Sequence, residues 1–334
     1  MKWVRLMVRR KVIGFYTEGR GRTRKIRPIT QSVGWKVKIP HRKLTLEDVR
    51  GIHEARSKRA KSIDEALEAR ITNNYEKWAK APNKWDIRGV DFFPSPTLPG
   101  DFETNVKVLA YASEQYYNKD LSNIKIYGYK SDKAFEESYG KKGISSYVYA
   151  FAKPEENAVH FSPTATRIIE EGKVTDIHSF RAMVAVSHEI GHLISHPVGN
   201  KYFDEGLNEM LAVRFTLNNL QMDRKLREKI RNNPHYCYRD EVKYVGDIAL
   251  LVNNFDEEKA MNWLLKLKTA SYLERHEMFA EAHNYLKSKY GISPPLRYDV
   301  SESEFDEARY QVSEVLLKND PKANKRKREW WLHV

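Results

Sequence analysis

Cysteine is nearly absent from this chain: Cys237 is the only one in 334 residues. An internal disulfide is therefore excluded, and with it the stapled scaffolds of small secreted proteins. Long apolar runs are missing too. No stretch approaches the roughly 18 apolar residues of a membrane-spanning helix. Charge interrupts Met1-Lys2-Trp3-Val4-Arg5 before the core of a signal peptide can develop. The expectation is a soluble cytoplasmic protein without membrane contact, packaging inside a particle being the alternative. Internal repeats and recognisable DNA-binding motifs are also lacking. Only four glutamines occur while 31% of residues are charged, a composition like that of heat-adapted proteins.

Heat adaptation does not explain how the charge is distributed. Residues 1–80 hold 22 Lys and Arg against 8 Asp and Glu, whereas the rest of the chain holds 36 against 37. The net charge of +13 thus belongs to the first quarter, with a smaller run at Lys325-Arg326-Lys327-Arg328. Such a module suits an anionic partner. Its lysines and arginines would meet the phosphates of nucleic acid, and Trp3, Trp35, Trp78 or Trp85 would offer stacking surfaces. A solvated basic surface is the plainer alternative.

Chemistry concentrates at His188-Glu189-Ile190-Gly191-His192. The pattern H-E-x-x-H arises by accident in about 3 of 100 chains of this composition. Residues four apart on a helix share a face with Cβ atoms about 5–6 Å apart, so both imidazoles can reach one metal at roughly 2.0–2.1 Å. Glu189 points around the helix and addresses a metal-bound water instead. Zinc lowers the pKa of that water to about 7, and a nearby carboxylate can take its proton. Uncharged residues flank the motif, which suits a helix half buried beneath a cleft. Thr175 or Ser179 is expected to cap its start, and His196-Pro197 stands where it should stop.

A zinc site needs a third protein ligand. Downstream lies Asp204-Glu205-Gly206-Leu207-Asn208-Glu209-Met210-Leu211-Ala212. The H-E-x-x-H helix followed by a second helix opening with Glu-Gly resembles the gluzincin clan of zinc metallopeptidases, which includes thermolysin-like enzymes and zinc aminopeptidases. The resemblance covers roughly residues 101 to 220, and it is specific at the two metal segments. It implies a Zn2+ ion, one per chain, held by His188, His192 and Glu205, with Glu189 as general base and a polypeptide as substrate. Glu209 is the alternative ligand, since Glu209 and Ala212 resemble the Glu-x-x-Ala pattern of other gluzincin branches. Only 12 residues separate His192 from Glu205, fewer than in the aminopeptidases, while 16 precede Glu209. One of the two glutamates then binds the metal and the other orients a ligand histidine. The metzincin pattern fails, because Ser195 and Val198 stand where it needs Gly and His.

The clan also implies an edge strand beside the active helix that pairs with the substrate backbone. Ser145 to Ala152 reads as a strand, Pro154 to Asn157 as a turn, and Ala158-Val159-His160-Phe161 returns as the strand assigned to bind substrate. Asn123 to Tyr129 supplies an earlier strand and Phe102 to Asn118 a helix. For the donor that meets the oxyanion of amide hydrolysis, His235, Tyr236, Tyr238 and Tyr244 are candidates with no choice among them. Cys237 beside His235 lacks the third group a nucleophilic pair would require.

The fold class expected is α+β: a zincin-like catalytic domain with a mixed sheet, an antiparallel edge strand, an active-site helix and a mostly helical C-terminal part, preceded by a basic extension. The expected organisation is a β/helical basic module over 1–80, a Pro-rich linker over 81–100, the catalytic domain over 101–320 and a basic tail over 321–334. Two helices are expected late in the basic module, opened by Thr45 with Asp48 and by Ser62 with Glu65. Four more are expected over 240–253, 256–268, 270–289 and 302–318, with Asp256 and Ser301 as caps.

Overall fold

The structure, a computed structural model, describes residues 2–18, 25–39, 46–91, 100–195, 197–233, 236–296, 300–322 and 329–332, with side chains followed from Ile63 onward. The chain forms two compact units, Met1–Ala66 and Leu67–Val334. In the first, β1 (Lys2–Glu18) and β2 (Lys25–Ile39) make an antiparallel ladder that opens with Lys2 opposite Ile39. Two register shifts interrupt it, between Met7 and Arg10 and between Val12 and Gly14.

Where two helices were expected there is one. α1 (Leu46–Ala79) runs 34 residues, through Ser62 and across the boundary between the units. Neither Gly nor Pro occurs from Ile52 to Ala79, so nothing interrupts the backbone ladder. A capping serine needs a non-helical backbone that Ser62 does not adopt. Thr45 lies outside the described residues.

The second unit is α+β. Its sheet has the order β3 (Asp86–Val90), β4 (Lys125–Tyr129), β6 (Ala158–Phe161), β5 (Ala150–Lys153). β3, β4 and β6 are parallel, and β5 is antiparallel to β6. This order corrects three expectations. The presumed linker 81–100 contains β3, which is part of the sheet. The strand expected from Ser145 begins only at Ala150. And Ala158, Val159, His160 and Phe161 form an interior strand, buried at every position, while β5 is the edge. β6 is interior because β4 pairs with it in parallel on the side away from the hairpin, a partnership that local sequence does not announce.

Side-chain alternation then separates the two faces of the sheet. Ile126, Ala150, Val159 and Phe161 enter the main core, against which α5 (Ile177–Ile194) packs. On the other face Tyr127, His160 and Phe151 stack ring on ring across three strands, at 4.7 and 4.5 Å between centroids. Phe135 of α3 (Asp132–Tyr139) closes over that face.

α2 (Gly100–Tyr117) and α4 (Pro163–Glu171) support α5 from the side of β4. α6 (Lys201–Asn219) packs along α5 and is backed in turn by α8 (Arg239–Val252). Between them comes the short α7 (Arg224–Asn232). α9 (Glu257–Thr269), α10 (Tyr272–Tyr290) and α11 (Glu302–Asn319) complete the helical C-terminal part. Asp256 and Ser301 cap α9 and α11 as expected. The segment taken as a basic tail ends in the core, where Trp330, Trp331 and Leu332 are buried against α6 and α9. Trp78 and Trp85 are buried as well, so neither offers a stacking surface, and the side chains of Trp3 and Trp35 lie outside the described residues. Among the described residues no helix is long and apolar enough to cross a membrane.

Candidate metal centre

α5 starts at an Asp176 cap rather than at Thr175 or Ser179. The Asp176 carboxylate accepts the Ser179 N–H at 2.7 Å, and the Ser179 hydroxyl reaches back to close a capping box. The helix ends at Ile194, before Pro197; His196 lies outside the described residues. α6 opens at Asn200, whose side chain accepts the Phe203 N–H at 2.9 Å.

α5 and α6 lie unusually close. A Cβ on Gly191 would come within 2.8 Å of Asn208, and one on Gly206 would stand 2.4 Å from the Glu241 backbone on the far side of α6. Those two glycines let α6 sit between α5 and α8. It then turns Asp204, Glu205, Asn208 and Glu209, which share one helical face, toward His188 and His192.

Every polar atom of the two imidazoles meets a partner. His188 Nε2 lies 3.1 Å from His192 Nε2 and 2.9 Å from Glu205 Oε2, with His192 Nε2 3.7 Å from that same oxygen. Three potential ligand atoms thus converge on one point. Behind them, His188 Nδ1 faces Glu209 Oε2 at 3.0 Å, and Glu209 Oε1 accepts the Cys237 N–H at 2.7 Å. His192 Nδ1 faces Asp204 Oδ2 at 3.2 Å and the Asn208 amide at 3.0 Å. Glu209 is enclosed, its side chain 4% exposed, whereas that of Glu205 is 31% exposed and opens toward solvent. Both carboxylate oxygens of Glu209 are engaged behind the site. The geometry therefore separates the two glutamates: Glu205 has an oxygen beside both histidines on the exposed side, and Glu209 engages His188 from behind.

Glu189 offers a ligand atom within 4.8 Å of those of both histidines, forming with them a His-Glu-His group that can hold an ion. Its Oε2 accepts the Ala152 N–H of the edge strand β5 at 2.9 Å. Burial raises its carboxyl above the ordinary range, although His188, His192 and the Ala152 N–H pull the other way. For His188, burial opposes the charged form, but Glu205 and Glu209 outweigh it and lift the imidazole to about 10. His192 is lifted to about 8 against the same burial by Asp204 and Glu205. Glu205, though partly desolvated, is pushed well below the ordinary carboxylate range by the two histidines. Protons thus hold the two histidines and the Glu205 carboxylate together.

Of the four candidates for the oxyanion donor, only Tyr238 is seen against the metal cluster. Its ring stacks on His188, centroids 5.3 Å apart and planes 20° apart. Burial and the neighbouring carboxylates raise its phenol, which keeps it a hydrogen-bond donor. Tyr244 is buried against Phe203 and Phe305 in the core, Tyr236 packs on Trp331, and His235 lies outside the described residues. Cys237 contributes its backbone N–H; its thiol is raised by burial and by Glu209, the reverse of an activated nucleophile.

Asp204, Asn208 and Ala152 join the site without having been named from the sequence as its members. Asp204 and Asn208 had a signal in hindsight, since each precedes by one position a glutamate already singled out.

Comparison with protein-family models, curated proteins and solved structures finds no match to this chain. The site is therefore read on its own chemistry.

Proposed function

We propose that this chain is a zinc metallopeptidase of the gluzincin type, with His188, His192 and Glu205 as the residues that would hold the ion. What supports this reading is the convergence of two imidazole nitrogens and one carboxylate oxygen within 3.7 Å of one another, with Glu189 beside them. The donor set suits zinc, for which two histidines and a glutamate with one position left open are a catalytic arrangement. The atoms behind it suit zinc too, each ligand histidine having its other nitrogen on a carboxylate. When bound, zinc would polarise a scissile carbonyl and bring the pKa of a coordinated water to about 7.

The chain's own residues supply the rest. Glu189, buried and basic enough to hold a proton transiently, accepts one from the attacking water and returns it to the leaving amine. The Ala152 N–H holds the carboxylate against the outer side of β5. That N–H points away from β6, so the outer edge of β5 runs beside Glu189, where an extended polypeptide can add as a further strand. Tyr238 is the donor closest to hand for the oxyanion that develops in amide hydrolysis.

Glu189→Gln tests the reading. Elemental mass spectrometry is expected to find about one zinc per chain in both wild type and variant, with peptide hydrolysis lost only in the variant. Turnover retained by Glu189→Gln would rule out this general base, and a wild-type chain that takes up no zinc would end the metallopeptidase reading.

A further inference from the structure

Lys268, on α9, is fully buried, with no exposed surface. Taking an ammonium out of water is costly, and a methionine would fill the same space without that cost. Among the described residues the Nζ atom has no hydrogen-bond partner, and its ion-pair partner is Asp204 Oδ1 at 3.6 Å, beyond a hydrogen-bond separation. Arg275, close by, opposes it. The leading attraction that offsets this burial is directed at Asp204, with a smaller one from Glu205, and both carboxylates belong to the same cluster as His188 and His192.

The two oxygens of Asp204 are divided between different tasks. Oδ1 accepts the Val198 N–H at 2.9 Å and faces Lys268. Oδ2 is left for His192 Nδ1 at 3.2 Å. We propose that Lys268 is a positioning residue for the metal centre, acting through Asp204 to hold His192 in the tautomer that presents Nε2 to the ion. With the proton on Nδ1 and directed at Oδ2, and the Asn208 amide turned so that its otherwise unpartnered oxygen faces the same proton, the lone pair of Nε2 points to where His188 Nε2 and Glu205 Oε2 converge. Without the ammonium, the carboxylate is free to rotate about the Val198 contact and Nδ1 loses its fixed acceptor. The inference rests on the metallopeptidase reading and adds to it a residue 63 positions beyond Glu205 that touches neither ligand nor substrate.

The experiment measures zinc affinity of the full chain by competition with a chromophoric chelator, alongside the melting temperature of the metal-free protein. Lys268→Met and Lys268→Gln are each expected to weaken zinc binding by about 10–100-fold, the usual effect of losing a residue behind a metal ligand. Lys268→Arg, which keeps the charge, is expected to restore most of it. Asp204→Asn should weaken binding by a similar factor, and adding Lys268→Met to it should weaken binding no further, because the lysine acts through the aspartate. That double variant buries no uncompensated carboxylate, so the pair stays testable if the single neutral variants do not fold. Folded neutral variants that bind zinc within twofold of wild type, whatever their melting temperature, would overturn the proposal. So would a double variant in which the two losses multiply. A wild-type chain without zinc affinity is a different result, and overturns the metallopeptidase reading itself.

Discussion

Glu205 and Glu209 stand one helical turn apart and look interchangeable until their surroundings are compared. The first is partly exposed, with one oxygen on His188 and near His192; the second has both oxygens occupied behind the site, by His188 Nδ1 and the Cys237 N–H. The consequences of removing them should differ in kind. Glu205→Ala takes away a donor atom and is expected to lower zinc affinity by more than about 100-fold, while Glu209→Ala costs about 10–100-fold. Glu209→Ala also leaves the buried His188 Nδ1 and the Cys237 N–H without an acceptor, so it should destabilise the metal-free fold by about 1–3 kcal/mol. Chelator competition and urea unfolding on both variants check this; the reverse order of zinc affinities would exchange the two roles. At this scale the sequence was most informative about His188, Glu189 and His192, whose spacing sets their common helix face by geometry alone. It left Glu205 and Glu209 open because both lie on the same face of α6, and only exposure tells them apart.

Helices α5, α6 and α8 form the element-scale device that brings the site together. Gly206 allows it: a Cβ there would collide with backbone atoms of Glu241, which cannot swing aside as a side chain would. Gly206→Ala is therefore expected to push α6 off α8 and cost about 1–3 kcal/mol, with zinc affinity falling as Glu205 moves. Chemical denaturation and chelator competition measure both. Unchanged stability would mean that α8 gives way easily and that the close approach is incidental. Individual helices were legible where caps and periodicity coincide, as at Asp256 and Ser301. Ser62 shows the limit of that reasoning: a serine and a following glutamate resemble a helix start, yet an unbroken run of helix formers carries α1 straight through. The hairpin of β5 and β6 was readable from its turn, but which of its strands is the edge was not. That depends on β4, which reaches β6 from beyond α3.

For the second unit as a whole, charge coupling makes the metal-free state sensitive to pH in a defined direction. His188 and His192 are lifted to about 10 and about 8 in the fold, from about 6.5 when unfolded. Groups raised in this way stabilise the folded state fully below pH about 6.5. That contribution declines as pH rises through about 8, where His192 releases its proton, and is lost by about 10, where His188 does. Calorimetry of the metal-free protein should therefore show a melting temperature that falls from pH 6.5 to 9.5. On the proposed reading zinc displaces those protons, so its affinity should rise over the same range. A melting temperature that climbs with pH in the metal-free protein would contradict the coupling.

By itself the sequence determined the α+β class of the second unit, the helix that carries His188 and His192, and the region of the chain from which a glutamate would join them. These follow from short-range rules: helical period, capping chemistry and the reach of side chains four residues apart. Tertiary structure decided that Glu205 is partly exposed and Glu209 enclosed, that β5 rather than β6 lies at an edge of the sheet, that Trp78, Trp85 and Trp330 are core, and that Lys268 stands behind Asp204. Each of these depends on which distant element covers an atom or shields a charge. Burial of that kind is a property of packing between elements, and no local pattern along the chain encodes it.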